Sequence, residues 1–189
     1  MRPFEETSDR AADRSMPPDA GGRTITVIQG DLAISADPKV TISTVLGSCV
    51  AVCMFEENVR IGGMNHFLLP GEGGGNGTQR YGVHLMELLI NGLLKAGASR
   101  ARLRAKIFGG ARMSDNLRDI GRGNVDFAQS FLLREGIPIL SEHVGGRQAR
   151  RLKFNPTTGA VQQLLVSGIE DVAAAPPPRP VPKPDITLF

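Results

Sequence analysis

Between Thr24 and Leu68, apolar and β-branched residues alternate with polar ones or run together in short stretches, the period of extended chain and not of helix. The pattern predicts strands over Thr24 to Ile28, Asp31 to Ser35, Val40 to Ser43, Cys49 to Phe55 and Val59 to Leu68. A glycine-rich stretch, Gly71 to Gly77, reads as a loop. After it the period changes: from Tyr81 to Leu94 the apolar positions recur at helical spacing until Gly97. Leu103 to Phe108 reads as a buried strand ending at Gly109-Gly110, and Ser114 to Ile120 as a short helix. Asn124 to Glu135 reads as a helix capped by Asn124 and stopped by Gly136. Ile137 to His143, Gln148 to Phe154 and Ala160 to Val166 follow as strands, the last two joined by the turn Asn155 to Gly159. Strands joined by short turns, with few helical crossovers, favour an α+β layered fold.

The same pattern sets the boundaries. Residues 1–22 are polar, charged and poor in large apolar groups, so they offset little ordering entropy and are expected to form a disordered arm. Residues 171–189 contain Ala173-Ala174-Ala175-Pro176-Pro177-Pro178 and form a Pro-rich tail that continues neither helix nor central strand. A single domain over 23–170 remains, and 41% hydrophobic residues in a chain of 189 is enough for a packed core.

Composition narrows the function. A net charge of +3 with dispersed arginines is weak support for a nucleic-acid partner, and no Trp with one Tyr leaves no stacking platform for single strands. No segment reaches the roughly 18 apolar residues of a membrane span, and the start lacks the apolar run of a signal peptide. Cys49 and Cys53 lie four positions apart in one extended segment, which puts their Cα atoms beyond bridging distance, so free thiols in the cytoplasm are expected. Neither C-x-x-C nor H-x-x-x-H spacing occurs, and the Gly71 to Gly77 loop lacks the Gly-Lys-Ser/Thr ending of a phosphate-binding loop. No metal or organic cofactor is expected.

What remains is thiol chemistry. Cys49 directly follows the Gly47-Ser48 turn, and His66 lies on the next strand of a hairpin through Glu56-Glu57-Asn58. In a regular hairpin of that kind, facing residue numbers sum to about 114, which sets Cys49 opposite Asn65 and turns His66 to the wrong face. A bulge at Gly62-Gly63 is then required. Cys49 needs a neighbour that favours its thiolate, and an imidazolium at His66 is the best candidate. Gly47 and Ser48 turn the backbone so that amides near Cys49 can hold an oxyanion, while Ser43 or Thr44 can orient the ring. Each residue also has a plainer reading. A cysteine among Val50, Ala51, Val52 and Met54 is more often a small core residue than a nucleophile, Cys53 reads as core, and His84 and His143 read as structural.

Leu46-Gly47-Ser48-Cys49-Val50-Ala51-Val52-Cys53, with His66 seventeen positions after Cys49 and then Leu69-Pro70, resembles the CheD family of chemoreceptor glutamine deamidases. The likeness continues through Tyr81, Ala105 to Ala111, Ile120-Gly121 with Asn124-Val125, and Gly145-Gly146 with Arg150, and ends near Gly159. The chain departs from the family in placing Gly123 between Arg122 and Asn124. The resemblance implies two packed β-sheets flanked by about three helices, similar to the catalytic domain of cytotoxic necrotizing factor toxins. It implies a protein-glutamine deamidase that converts receptor glutamines to glutamates through a cysteine thioester, in chemotaxis adaptation. Cys49 is then the nucleophile, His66 its assistant, and Ser43, six positions before the cysteine, the hydroxyl member, with Thr44 adjacent. A CheC-like phosphatase is implied as a further partner. The rival from another class is a non-catalytic adaptor that docks on receptors or on that phosphatase; a protease or transglutaminase shares the chemistry but differs in product.

Overall fold

A computed structural model describes residues 22–69, 75–113 and 120–166. Residues 1–21 of the N-terminal arm, the whole Pro-rich tail, the loop residues 71–74 and residues 114–119 of the short helix expected over Ser114 to Ile120 lie outside the described residues.

The strands are β1 (Arg23–Thr26), β2 (Leu32–Ser35), β3 (Val40–Leu46), β4 (Val50–Glu56), β5 (Ile61–Phe67), β6 (Arg104–Gly109), β7 (Ile139–Val144), β8 (Ala149–Phe154) and β9 (Val161–Val166). The helices are α1 (Gly75–Lys95) and α2 (Ile120–Arg134), with a short 3-10 turn at Arg100–Arg102. Four strands form one sheet in the order β1-β3-β8-β9, and five form a second in the order β2-β5-β4-β6-β7. Both sheets are mixed, since β1 runs parallel to β3 and β6 parallel to β7 while the other pairs are antiparallel.

β4 shows why the layers stack as they do. All seven of its residues are buried, so it reads as a continuous apolar run where a half-exposed strand would alternate. Val50, Val52 and Met54 pack with Leu85, Met86, Leu89, Val125 and Phe131 of the two helices. Ala51, Cys53 and Phe55 pack instead with Ile42, Leu46, Leu152 and Phe154 of the other sheet. Alternate side chains thus face opposite layers, and the order is helices, five-stranded sheet, four-stranded sheet. The chain is an α+β fold with two packed sheets, as expected.

Three sequence-based expectations are corrected. The β4–β5 turn is Glu57 to Arg60, not three residues, because the Glu56 carboxylate accepts the Asn58 N–H at 2.9 Å and Arg60 N–H closes the turn on Glu57 O at 3.2 Å. Facing numbers therefore sum to 117, with Ala51 opposite His66, and the ladder runs unbroken through Gly62 and Gly63. No bulge is present there.

Second, α2 begins at Ile120 and Asn124 lies inside it, so Asn124 is no cap. Gly121 and Gly123 make the first turn look like a break, yet a Cβ at Gly121 would sit 2.4 Å from Gly110 O. Glycine is there for close approach to the strand end, not to stop the helix. Third, Gly75 to Gly77, expected in the loop, form the start of α1.

Candidate active site

Register alone puts Cys49 on the correct face. With Ala51 opposite His66, Cys49 lies two residues before Ala51, directly ahead of β4, and packs against the same cluster as Ala51. Cys49 is half-buried and packs against the cluster between the sheets. Cys53, on the same face but deeper, is fully buried.

The nucleophile loop is held by its carbonyls. Gly47 O accepts the Ala111 N–H at 2.9 Å, Ser48 O accepts Asn124 Nδ2 at 3.2 Å, and Cys49 O accepts the Gly110 N–H at 2.7 Å. Gly109 has φ +113, and a Cβ on it would come within 2.1 Å of Cys49 O, so only glycine lets β6 approach this closely. Asn124 does more than expected of it. Completely buried, it also accepts the Leu69 N–H at 2.7 Å and donates to Ile120 O at 2.9 Å, tying α2 to both segments beside the site.

His66 bridges the sheets. Its Nδ1 lies 2.8 Å from Thr44 Oγ1, and that hydroxyl is 2.7 Å from Val27 O. A hydroxyl has one hydrogen, and the carbonyl can only accept it. The Thr44 proton therefore points at Val27 O, Nδ1 carries the ring hydrogen and donates to Oγ1, and Nε2 keeps its lone pair. That Nε2 is buried and has no hydrogen-bond partner among the described residues. The ring is set up as a base.

Ser43, the position indicated by the resemblance, is not part of this contact. β3 alternates with Ile42, Thr44 and Leu46 buried, so the Ser43 side chain points to the opposite face from Thr44; its carbonyl accepts the Val27 N–H at 2.8 Å.

Burial sets the charge state. Desolvation pushes the Cys49 thiol up, with its own backbone N–H pulling weakly the other way. Desolvation holds the His66 imidazole below its usual range, against the opposing pull of the Val27 carbonyl and of Asp31. Both shifts favour uncharged partners, so the resting pair is thiol and neutral imidazole, not the thiolate and imidazolium expected from sequence. Sγ donates to Gln29 Oε1 at 3.7 Å.

Val27 to Asp31, the crossing between the sheets, is the part of the site that sequence reasoning missed. It supplies the carbonyl under Thr44 and the Gln29 carboxamide over Cys49. Its one visible signal is Gly30, at φ +94, in the gap between the strands expected over Thr24 to Ile28 and Asp31 to Ser35. Arg150 was noted only for the resemblance. It is fully buried on β8 and donates to the carbonyls of His143 and Gly145. Gly145 N–H in turn reaches Gly109 O at 2.9 Å, and Gly146 O accepts the Arg112 N–H at 2.8 Å, bracing the strand end that holds Cys49 O. His143 takes part through Nδ1, 3.1 Å from the Arg150 guanidinium; His84 is exposed on α1.

The family model described as CheD chemotactic sensory transduction matches residues 68–164. A probable chemoreceptor glutamine deamidase CheD 1 of Ruegeria sp. (strain TM1040) is 53% identical over 178 residues, covering 88% of this chain and 95% of the relative. One of Agrobacterium fabrum is 48% identical over 180 residues, covering 90% and 99%, and one of Caulobacter sp. (strain K31) 54% identical over 159 residues, covering 82% and 84%. An overlap of 88% of the chain necessarily spans both Cys49 and His66. Among solved structures, the hypothetical protein YfiH of Bacillus licheniformis aligns with TM-score 0.40 and 16% identity over 64% of this chain and 58% of its own. Protein NMB0706 of Neisseria meningitidis aligns with TM-score 0.35 and 12% identity over 61% and 52%. Likenesses this slight carry neither topology nor function. The sequence relatives do settle kinship: the chain belongs to the CheD family.

Proposed function

We propose that this chain is a protein-glutamine deamidase acting on chemoreceptors in the cytoplasm, with Cys49 as nucleophile, His66 as general base and acid, and Thr44 as the hydroxyl that orients the ring. The observation that carries the reading is the bare, buried Nε2 of His66 on the same face as Cys49, its tautomer fixed by Thr44 and Val27.

As a receptor glutamine presents its carboxamide carbon to Sγ, Nε2 takes the thiol proton and sulfur adds to the carbon. Starting from a neutral pair suits this step, because charge forms only as the bond does. The developing oxyanion is met by the Cys49 backbone N–H, whose peptide is held through the Ser48 carbonyl by Asn124. Protonated His66 then gives its proton to the leaving nitrogen and ammonia departs. A thioester remains. Water, deprotonated by the neutral ring, attacks it, and glutamate and the Cys49 thiol are released.

The glutamate so formed is a carboxylate available for methylation, which links the reaction to adaptation. No helix among the described residues is long and apolar enough to cross a membrane, which suits an enzyme that meets the cytoplasmic part of its substrate. A CheC-like phosphatase, as the family resemblance suggests, would compete with receptor for the surface around Cys49. Ammonia release from a purified receptor cytoplasmic fragment tests the reading: wild type should release it in proportion to the glutamines lost, and no release would overturn it.

A further inference from the structure

We propose that the side-chain carboxamide of Gln29 is a catalytic group of this site, donating to the oxyanion alongside the Cys49 backbone N–H. The inference rests on the deamidase reading above and adds a residue to it.

Gln29 places a polar side-chain atom against the reacting sulfur, with Oε1 3.7 Å from Sγ. Although exposed, it is held by its backbone. Asp31 N–H closes on Ile28 O at 3.0 Å with Gly30 at φ +94, a turn of type II with Gln29 at its second position. That turn is fastened at both ends to the strands bearing the other members of the site. Val27 N–H donates to Ser43 O at 2.8 Å, Gly30 N–H to His66 O at 2.8 Å, and His66 N–H to Asp31 O at 3.0 Å. Tyr81 closes over it, since a Cβ on Gly30 would lie 2.9 Å from the Tyr81 hydroxyl. The backbone that carries the carboxamide is therefore as fixed relative to Cys49 as His66 is.

A carboxamide carries an acceptor and a two-hydrogen donor on one carbon, and its terminal torsion is broadly two-fold. While Cys49 is protonated, the oxygen accepts S–H, as in the structure. Once the proton has passed to His66 and negative charge has moved to the substrate oxygen, a half-turn presents the NH₂ group. Because Gln29 is exposed, no buried wall opposes that half-turn. The new oxyanion is on the carbon bonded to Sγ, so a donor already in contact with the sulfur is within reach of it. No covalent step is added; the group only stabilises charge.

Gln29→Ala and Gln29→Glu, made in the full chain, test this with the receptor fragment and, separately, with iodoacetamide. Losing one oxyanion donor typically costs about 100- to 1000-fold in kcat. Gln29→Ala should lose on the order of 100-fold in kcat with KM little changed, and Gln29→Glu, which keeps the shape but replaces the donor with a carboxylate, should lose at least as much. Without receptor, the same half-turn presents the NH₂ group to the Cys49 thiolate, a charge-assisted bond stronger than the one the thiol makes to Oε1, so the pH midpoint for alkylation of Cys49 should rise in both variants. Wild-type kcat in Gln29→Ala overturns the proposal. So does a faster Gln29→Ala, which would make the side chain a placeholder in the substrate's position. If wild type and Cys49→Ala release ammonia alike, the deamidase reading fails, while unchanged alkylation midpoints would independently remove Gln29 as a partner of the sulfur.

Discussion

The hydroxyl of Thr44 is 2.8 Å from His66 Nδ1 and 2.7 Å from the Val27 carbonyl, and it has one proton for the two. That single shortage fixes which ring nitrogen is bare. Thr44→Val keeps the shape of the side chain but removes the acceptor for Nδ1–H. It should lower kcat by about 10- to 100-fold, a fraction of what acid–base catalysis contributes, whereas Thr44→Ser should retain most activity. Ser43→Ala should behave as wild type, since its side chain points away from the ring. Steady-state rates of ammonia release separate the two hydroxyls.

The pH dependence follows from burial of the ring. His66 serves as base only when neutral, and desolvation holds its pKa below the ordinary 6.5. Activity should therefore persist as pH falls to 6.5 and decline only below it, and kcat/KM against pH measures this. The same shift has a sign for stability: below about 6.5 the unfolded chain binds a proton at this position that the folded chain resists, so acidification destabilises the fold. An acid limb centred above 6.5 would contradict the neutral-pair account.

Asn124 holds Ser48 O, Ile120 O and the Leu69 N–H from one buried carboxamide. Asn124→Ala leaves these groups without their partner, at a cost of about 1–3 kcal/mol for each buried group that water cannot reach. The denaturation midpoint should fall accordingly, and kcat should fall as well at temperatures where the variant is folded, because the nucleophile loop loses its tether. Asn124→Asp, which keeps the acceptor for Leu69 but not the donor for Ser48, should fall between.

The two thiols should differ sharply. Cys53 is fully buried, and desolvation raises its pKa far above the usual thiol range despite nearby Lys106. Cys49 is half-buried at the mouth of the same face. Alkylation of the folded protein should label Cys49 alone, with Cys53 reacting only after denaturation, as read from the fragment ions of the one tryptic peptide, Val40 to Arg60, that carries both thiols.

Much of this was legible because strands advertise themselves by period. The burial of β4 was visible in its unbroken apolar run, and Cys49 and His66 stood out as a thiol and an imidazole on consecutive strands. Their register was misread by three positions because the length of a tight turn depends on what its side chains bond to, and Glu56 bonding Asn58 is a fact of three dimensions. The choice between Ser43 and Thr44 needed the strand's facing, which is set by the partner sheet and not by the local sequence. Asn124 acts on backbone groups of Ser48 and Leu69, distant in sequence, and Arg150 on the His143 and Gly145 carbonyls, ahead of its own strand; a residue that satisfies backbone groups outside its own element leaves no periodic trace. The Val27 to Asp31 crossing was invisible for the same reason: its contribution is one carbonyl and one carboxamide.

The central claim is that the sulfur of Cys49 attacks receptor glutamines. Mass spectrometry of receptor peptides after incubation with wild type or Cys49→Ala tests it most directly, since replacing NH₂ by OH through the acyl-thioester adds about one dalton at each modified glutamine. Wild type should produce that shift at discrete glutamines without cleavage or crosslinks, and Cys49→Ala should produce none. Equal shifts from both proteins, or none from either, would contradict it.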